Sequence, residues 1–199
     1  MLARLIREVG PCRLEVSANR SPFEALIRAV AHQQLTGRVA EVILGRFEAL
    51  FPGKHFPSPA RVLAVSTDRL RQVGFSQAKA ASIHDISSQT VAGIVPSLKG
   101  IQKLSDDEII ERLIQVRGVG RWTVEMLLMF TLGRPDVLPV DDFGVRKGFA
   151  LASGLPELPK PKALREKGQQ WKPFRTVASW YLWQAVDLYE SHRPQDKGR

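Results

Sequence analysis

The sequence predicts an all-α protein of two helical lobes. Three observations carry that expectation: apolar residues recur at helical spacing almost throughout, serines stand where helices should begin, and no two segments alternate in the manner of paired strands. The first apolar stripe is Phe23, Leu26, Ile27 and Val30, and the next is Val39, Ile43, Leu44 and Phe47. Further helices are expected after the N-cap candidates Ser58, Ser66 and Ser76, and Ser105 with Glu108 makes an S-x-x-E capping box ahead of Ile109, Ile110, Leu113 and Ile114. Phe51 to Pro59 and Leu155 to Pro161, rich in proline with glycine or lysine, read as loops, and His192 to Arg199 reads as a frayed polar tail.

Composition narrows the class. A chain of 199 residues that is 44% hydrophobic is long and apolar enough to bury a core without covalent staples. Its one cysteine, Cys12, makes no internal disulfide and builds no cysteine-ligated zinc or iron–sulfur site. No apolar run approaches the length of a membrane span, and charges interrupt Met1 to Arg7, so the expectation is a soluble intracellular protein. The 29 Lys and Arg against 20 Asp and Glu leave a charge of +9, which favours a polyanionic partner such as nucleic acid.

The most informative stretch is Leu113-Ile-Gln-Val-Arg-Gly118-Val119-Gly120-Arg121-Trp122-Thr123, a helix that stops at a Gly-x-Gly turn and restarts at once. This is a helix-hairpin-helix pattern. Glycines relax the backbone there, and their missing side chains let a phosphate approach the amides opening the second helix, giving a sequence-independent grip on a nucleic-acid backbone. Gly118, Val119, Gly120, Arg121 and Thr123 are the expected contacts, with the Arg121 charge added to the grip. Carbonyls of Ile114, Val116 and Val119 are candidates to hold a monovalent cation. Alone, a Gly-x-Gly is more often an ordinary tight turn, so its weight comes from the residues downstream of it in the chain.

About twenty residues on stands Leu138-Pro-Val-Asp141-Asp142-Phe143-Gly144-Val145-Arg146-Lys147-Gly148, two adjacent acids opening another helix. Hairpin, helix and then an apolar-Pro-x-Asp-Asp-aromatic segment resemble the helix-hairpin-helix (HhH-GPD) DNA glycosylase superfamily, and the chain is most similar to its 3-methyladenine DNA glycosylase II (AlkA-like) branch. The likeness extends through Phe56-Pro-Ser-Pro-Ala-Arg61, Gly74-Phe-Ser-Gln-Ala-Lys-Ala80 and Trp171-Lys-Pro-Phe-Arg175 to Trp183, covering about Phe23 to Tyr189.

The resemblance implies a catalytic role for the second acid, Asp142, with Asp141 left to cap the helix. Cleaving a glycosidic bond builds positive charge on the sugar, which a carboxylate beside the anomeric carbon stabilises, and a carboxylate at a helix N-terminus suits an electrostatic or general-base role. Trp122 stands where lyase-competent relatives carry a Schiff-base lysine, so the resemblance implies a monofunctional hydrolase whose indole stacks on an extruded base and favours a cationic alkylbase. Phe143 and Trp183 match aromatic positions of the family's base pocket, and Met126 stands where a close relative has tyrosine. Core packing is the competing role for Trp183 and Met126, and Trp171 and Trp180 are assigned to structure. Gln33 and Gln34 fall at the helix junction from which relatives push a side chain into the duplex, with Gln34 at the wedge and a solvated turn residue as its plainer reading. His32 is assigned to local structure, and His55, His84 and His192 fit no catalytic constellation.

The expected layout is one lobe from residues 21–133 carrying the hairpin and another from residues 1–20 with 134–199 carrying Asp142. The active site is expected in the cleft of the lobes, and the N-terminal β domain of some relatives is lacking. No cofactor is required beyond a possible structural Na+ or K+ at the hairpin. The expected partner is damaged double-stranded DNA, bound by a monomer, with no membrane. Location would be cytoplasmic and nucleoid-associated in a bacterium and nuclear in a eukaryote. Substrates are methylated purines such as 3-methyladenine and 7-methylguanine. The alternatives are a non-catalytic hairpin DNA-binding protein, a glycosylase for mismatched or oxidised bases, and a purely structural helical protein.

Overall fold

The computed structural model describes residues 1–53 and 55–191; the polar tail expected over His192–Arg199 therefore lies outside the described residues. Among the described residues twelve α-helices follow in order: α1 (Leu2–Val9), α2 (Pro22–His32), α3 (Gly37–Glu48), α4 (Pro59–Leu63), α5 (Thr67–Gln72), α6 (Gln77–Val91), α7 (Leu98–Ile101), α8 (Asp106–Leu113), α9 (Arg121–Phe130), α10 (Phe143–Ser153), α11 (Pro161–Lys167) and α12 (Arg175–Ser191), with a 3-10 turn at Gly168–Trp171. Among the described residues there is no strand and no helix long and apolar enough to cross a membrane.

The chain divides into two compact units, Ser17–Leu132 and Met1–Val16 with Gly133–Arg199. These boundaries differ by a few residues from those expected at 20 and 133. The amide of Ser17 donates to the carbonyl of Phe130 (2.8 Å), which ties residues 17–20 to the hairpin-bearing unit.

In that unit the serines set the helix starts. Ser58, Ser66, Ser76 and Ser105 each accept the amide three residues on, and Ser21 and Ser97, not singled out by the sequence, do the same. Both halves of the Ser105–Glu108 box are formed, and hydrogen bonds from Ser105 hold the Glu108 carboxyl below its usual range. α2 packs on α3, α6 and α9, and Phe47 is fully buried with Phe51, Phe56 and Phe75 ringed around it at 5.2–5.8 Å. Two stripe assignments need correction. Val39 is 45% exposed and Ala40 takes the buried place, because the inward face of α3 runs through Ala40, Ile43, Leu44 and Phe47. Ile114 is exposed because α8 has already ended and Ile114 is its C-cap.

The other unit is built on α10 against α12, with α1 laid on α12 as well. Its core joins Leu5, Leu138, Val140, Val145, Phe149, Leu164, Tyr181 and Leu182, and Trp171 and Trp180 pack against it, in the structural role expected of them. The Tyr181 hydroxyl donates to the carbonyl of Gly10 (2.8 Å), fastening the end of α1.

Candidate active site and nucleic-acid interface

The hairpin is a chain of short-range constraints. After α8 the amide of Val116 donates to the carbonyl of Leu113 (3.1 Å) and that of Val119 to the carbonyl of Val116 (3.0 Å). Gly118 takes a φ of +77°, and a Cβ there would lie 2.1 Å from the Oγ of Ser82 on α6. Glycine is demanded twice, by the angle and by the packing. Gly120 is different: its φ is −89° and a Cβ would meet nothing. What glycine supplies there is an N-cap with no side chain, so no side-chain acceptor caps α9, and the amides of a first helical turn have no partner within their own helix.

Two of the expected DNA contacts, Thr123 and Val119, are corrected, whereas Arg121 keeps an exposed side chain. Thr123 is 1% exposed, and its Oγ1 accepts a hydrogen bond from Gln33 inside the unit. Val119 is buried and its amide is already bonded to Val116. Arg121 is half exposed, but its Nε pairs with the carboxylate of Glu125 at 3.1 Å, and Glu125 is 4% exposed. Gly118 and Gly120 remain at the surface.

The junction after α2 is held from three sides. Gln34, exposed, is the one non-glycine with positive φ (57°) among the described residues. Gln33, expected at the DNA, instead turns its amide inward, donating to the carbonyl of Gly118 (3.1 Å) and to Thr123 (3.1 Å). Nζ of Lys79 donates to the carbonyls of Ala31 (2.9 Å) and Gln33 (2.7 Å), with its pKa lowered by burial. Lys79 and Asp85, whose carboxylate accepts the Arg117 amide at 2.7 Å, are functional candidates that sequence reasoning missed. Their partners lie 32 to 48 residues away.

Trp122 and Met126 come together in this unit. They recur one turn apart on α9 and, with Phe130, Ala25, Ala29, His32, Arg20, Arg28 and Glu41, line a cavity of about 470 Å³. His32 contacts Glu41 at 3.0 Å, a local pair as expected, and His84 contacts the Val65 carbonyl at 2.9 Å, a structural role.

In the other unit, Asp142 is itself the N-cap of α10: its Oδ1 accepts the amide of Val145 at 2.7 Å. The expectation that Asp141 caps the helix is therefore wrong. The helix starts one residue later than that reading requires, since Asp142 is itself extended (φ −67°, ψ 125°) and bonds the Val145 amide, and Asp141 is left exposed. The same Oδ1 accepts the indole Nε1–H of Trp183 (2.9 Å). Trp183 thus joins the core while fixing the carboxylate. Two glycines of α10 make this approach possible. A Cβ on Gly144 would lie 2.8 Å from the Trp183 ring, and one on Gly148 would lie 1.8 Å from the carbonyl oxygen of Leu182. Phe143 is 62% exposed, with the Lys147 ammonium 5.7 Å above its ring. Among the described residues no three His, Cys, Asp or Glu side chains gather to hold a metal ion.

Residues 27–174 match the HhH-GPD superfamily of base excision DNA repair proteins, and the chain belongs to that superfamily. Within it the chain falls in the 3-methyladenine DNA glycosylase branch. It is 40% identical to DNA-3-methyladenine glycosylase 1 of Schizosaccharomyces pombe over 96% of this chain and 84% of that one. The solved S. pombe 3-methyladenine DNA glycosylase in complex with abasic DNA superposes with a TM-score of 0.85 at 40% identity, covering 92% of this chain and 89% of that one. A DNA-3-methyladenine glycosidase from Bacillus halodurans gives 0.83 at 33% identity, covering 96% and 86%.

Proposed function

We propose that the protein excises alkylated bases from double-stranded DNA by hydrolysing the N-glycosidic bond, with Asp142 as the catalytic carboxylate. The observation that carries this reading is the double fixation of Asp142 Oδ1 by the Val145 amide and the Trp183 indole. Preorganised in this way, the carboxylate stabilises the positive charge that develops on the sugar as the bond electrons leave with the base. Water adds at the anomeric carbon and gives up a proton, for which Asp142 is the acceptor. An alkylated purine leaves as a neutral base and needs little acid assistance, so 3-methyladenine and 7-methylguanine are the first substrates.

Trp122, in place of a lysine, leaves no amine for a Schiff base, which supports hydrolysis without strand cleavage. Its indole and Met126 offer the extruded base an apolar, polarisable wall, and cation–π attraction favours a charged alkylbase. Phe143, exposed next to Asp142, supplies a further aromatic surface. The N-terminus of α9, which has no side-chain cap, holds a backbone phosphate with Gly118 and Gly120 at the surface, and Gln34 enters the duplex where the base has left. The carbonyls of Ile114, Val116 and Val119 suit a monovalent cation: α8 ends at Leu113, and the Val116 oxygen keeps a second lone pair beyond its bond from Val119. Such an ion would offset phosphate charge. The protein acts as a monomer, in the cytoplasm of a bacterium or the nucleus of a eukaryote.

The test incubates the protein with methylated duplex DNA and assays released bases and strand breaks, with Asp142→Asn alongside. Release of methylpurines by the wild type, without breaks and lost by about 10³-fold in Asp142→Asn, is the expected result. DNA binding with no base released from any lesion would leave a non-catalytic hairpin protein instead.

A further inference from the structure

Helix α6 contributes no residue to base excision, yet one of its faces holds both parts of the unit that meet DNA in the proposed function. At its first turn Lys79 donates to the carbonyls of Ala31 and Gln33, the last turn of α2 and the start of the Gln34 turn. One turn on, buried Ser82 seats Gly118, so close that only a glycine fits. A further turn on, Asp85 accepts the Arg117 amide at the entrance of the hairpin. Residues 79, 82 and 85 recur at helical spacing along one side of α6. Gln33 closes the circuit by donating to Gly118 and Thr123 across the gap.

We infer that α6 is a register element: Lys79 and Asp85 are positioning residues that fix the distance from the duplex-entering Gln34 turn to the phosphate-holding hairpin. The geometry fits that role better than simple cohesion. α6 already packs through Ala80, Ile83 and Ile86, whereas Lys79 and Asp85 spend their charges on backbone groups of the two recognition turns. Gln34 sits at a φ of 57°, a conformation that a residue with a Cβ holds only when its surroundings over-determine it. Two hydrogen bonds from one ammonium to the carbonyls just before it supply that constraint. Without them the turn relaxes, and a side chain displaced by about 1 Å no longer fills the gap in the stack.

The inference rests on the reading of Gln34 and the hairpin as DNA contacts, and its test is independent of excision. A duplex carrying an abasic-site analogue, with 2-aminopurine as the neighbouring base, reports unstacking by fluorescence and affinity by titration. With wild type the fluorescence rises on binding. Lys79→Met should lose most of that rise while its affinity for undamaged duplex stays within about two-fold, and Lys79→Arg should recover it. Asp85→Ala, which frees the Arg117 amide and loosens the hairpin, should weaken affinity about ten-fold for damaged and undamaged duplex alike, with Asp85→Asn close to wild type. Should Lys79→Met fail to fold, Gln33→Met cuts the same circuit from the α2 side and should show the same loss of fluorescence. Unchanged fluorescence in folded Lys79→Met, or an equal loss of affinity and fluorescence in every variant, would overturn the positioning role. A wild type that binds and unstacks DNA yet releases no methylpurine would refute the glycosylase reading alone.

Discussion

The two helices that matter most, α9 and α10, begin in opposite ways. α9 has a glycine at its N-cap and no side-chain acceptor there. α10 has Asp142 at the same position, and the carboxylate fills the helix end from within. Six other helices in the hairpin-bearing unit close their ends with serine. In the proposed function the same partial positive charge serves two ends: at α9 it is left for a phosphate that arrives from outside, and at α10 it holds the carboxylate proposed to act on the sugar. A missing side-chain cap alone does not set α9 apart, since α1, α3 and α11 also lack one; its place after the Gly118 turn does.

The largest way to break this contrast is at Asp142. Asparagine caps a helix about as well as aspartate, so Asp142→Asn should change stability by no more than about 0.5 kcal/mol while removing excision. A thermal melt beside the excision assay checks it, and a large drop in melting temperature would mean that the carboxylate is chiefly structural. Next comes Gly148→Ala. A Cβ there meets a backbone oxygen that cannot rotate away, so α10 and α12 must separate, at a cost of about 2–4 kcal/mol. Trp183 then withdraws from Asp142, and excision should fall further than the folded fraction in a urea titration explains. Smaller and sharper is Gly120→Asp, which gives α9 the cap that α10 has. Helix stability should rise by a few tenths of a kcal/mol while DNA affinity falls about ten-fold, read by melting and by titration. Affinity that holds would show that the N-terminus of α9 is not the phosphate site.

Much of this was legible in the sequence because it is local. Serine caps, the capping box and the Gly-x-Gly turn each depend on residues within one or two helical turns, and Asp142 was assigned through the resemblance of its segment to the glycosylase family. The cap assignment within the acid pair was misread, since Asp142 is held both by the Val145 amide and by Trp183, 41 residues along the chain, a tertiary matter. The contacts of Lys79, Asp85 and Gln33, and the need for glycine at 144 and 148, were illegible for the same reason. Each is defined by a partner far along the chain. Thr123 and Val119 were placed at the DNA on motif position alone, and packing turned them inward.

The smallest effect concerns how the segment leading to Asp142 is anchored. Asp136 lies six residues before it and receives Arg175, at the start of α12, through Nε at 2.6 Å, Nη2 at 2.9 Å and the amide at 3.3 Å. The guanidinium bonds hold the Asp136 carboxyl below its ordinary range. A depressed folded-state value means that the pair adds stability at pH above the unfolded carboxyl value of about 3.9, and that this is lost as pH falls through the lower folded value. Both side chains are partly exposed, so the contribution near neutrality is discounted to about 1 kcal/mol. Asp136→Asn should therefore be less stable than wild type in urea at pH 7, by a margin that narrows as the pH is lowered below about 3.9. A gap that does not narrow on acidification would mean that the carboxylate charge is not what holds the segment. Excision, in contrast, should stay within about two-fold of wild type, because Val145 and Trp183 still fix Asp142 from α10 and α12.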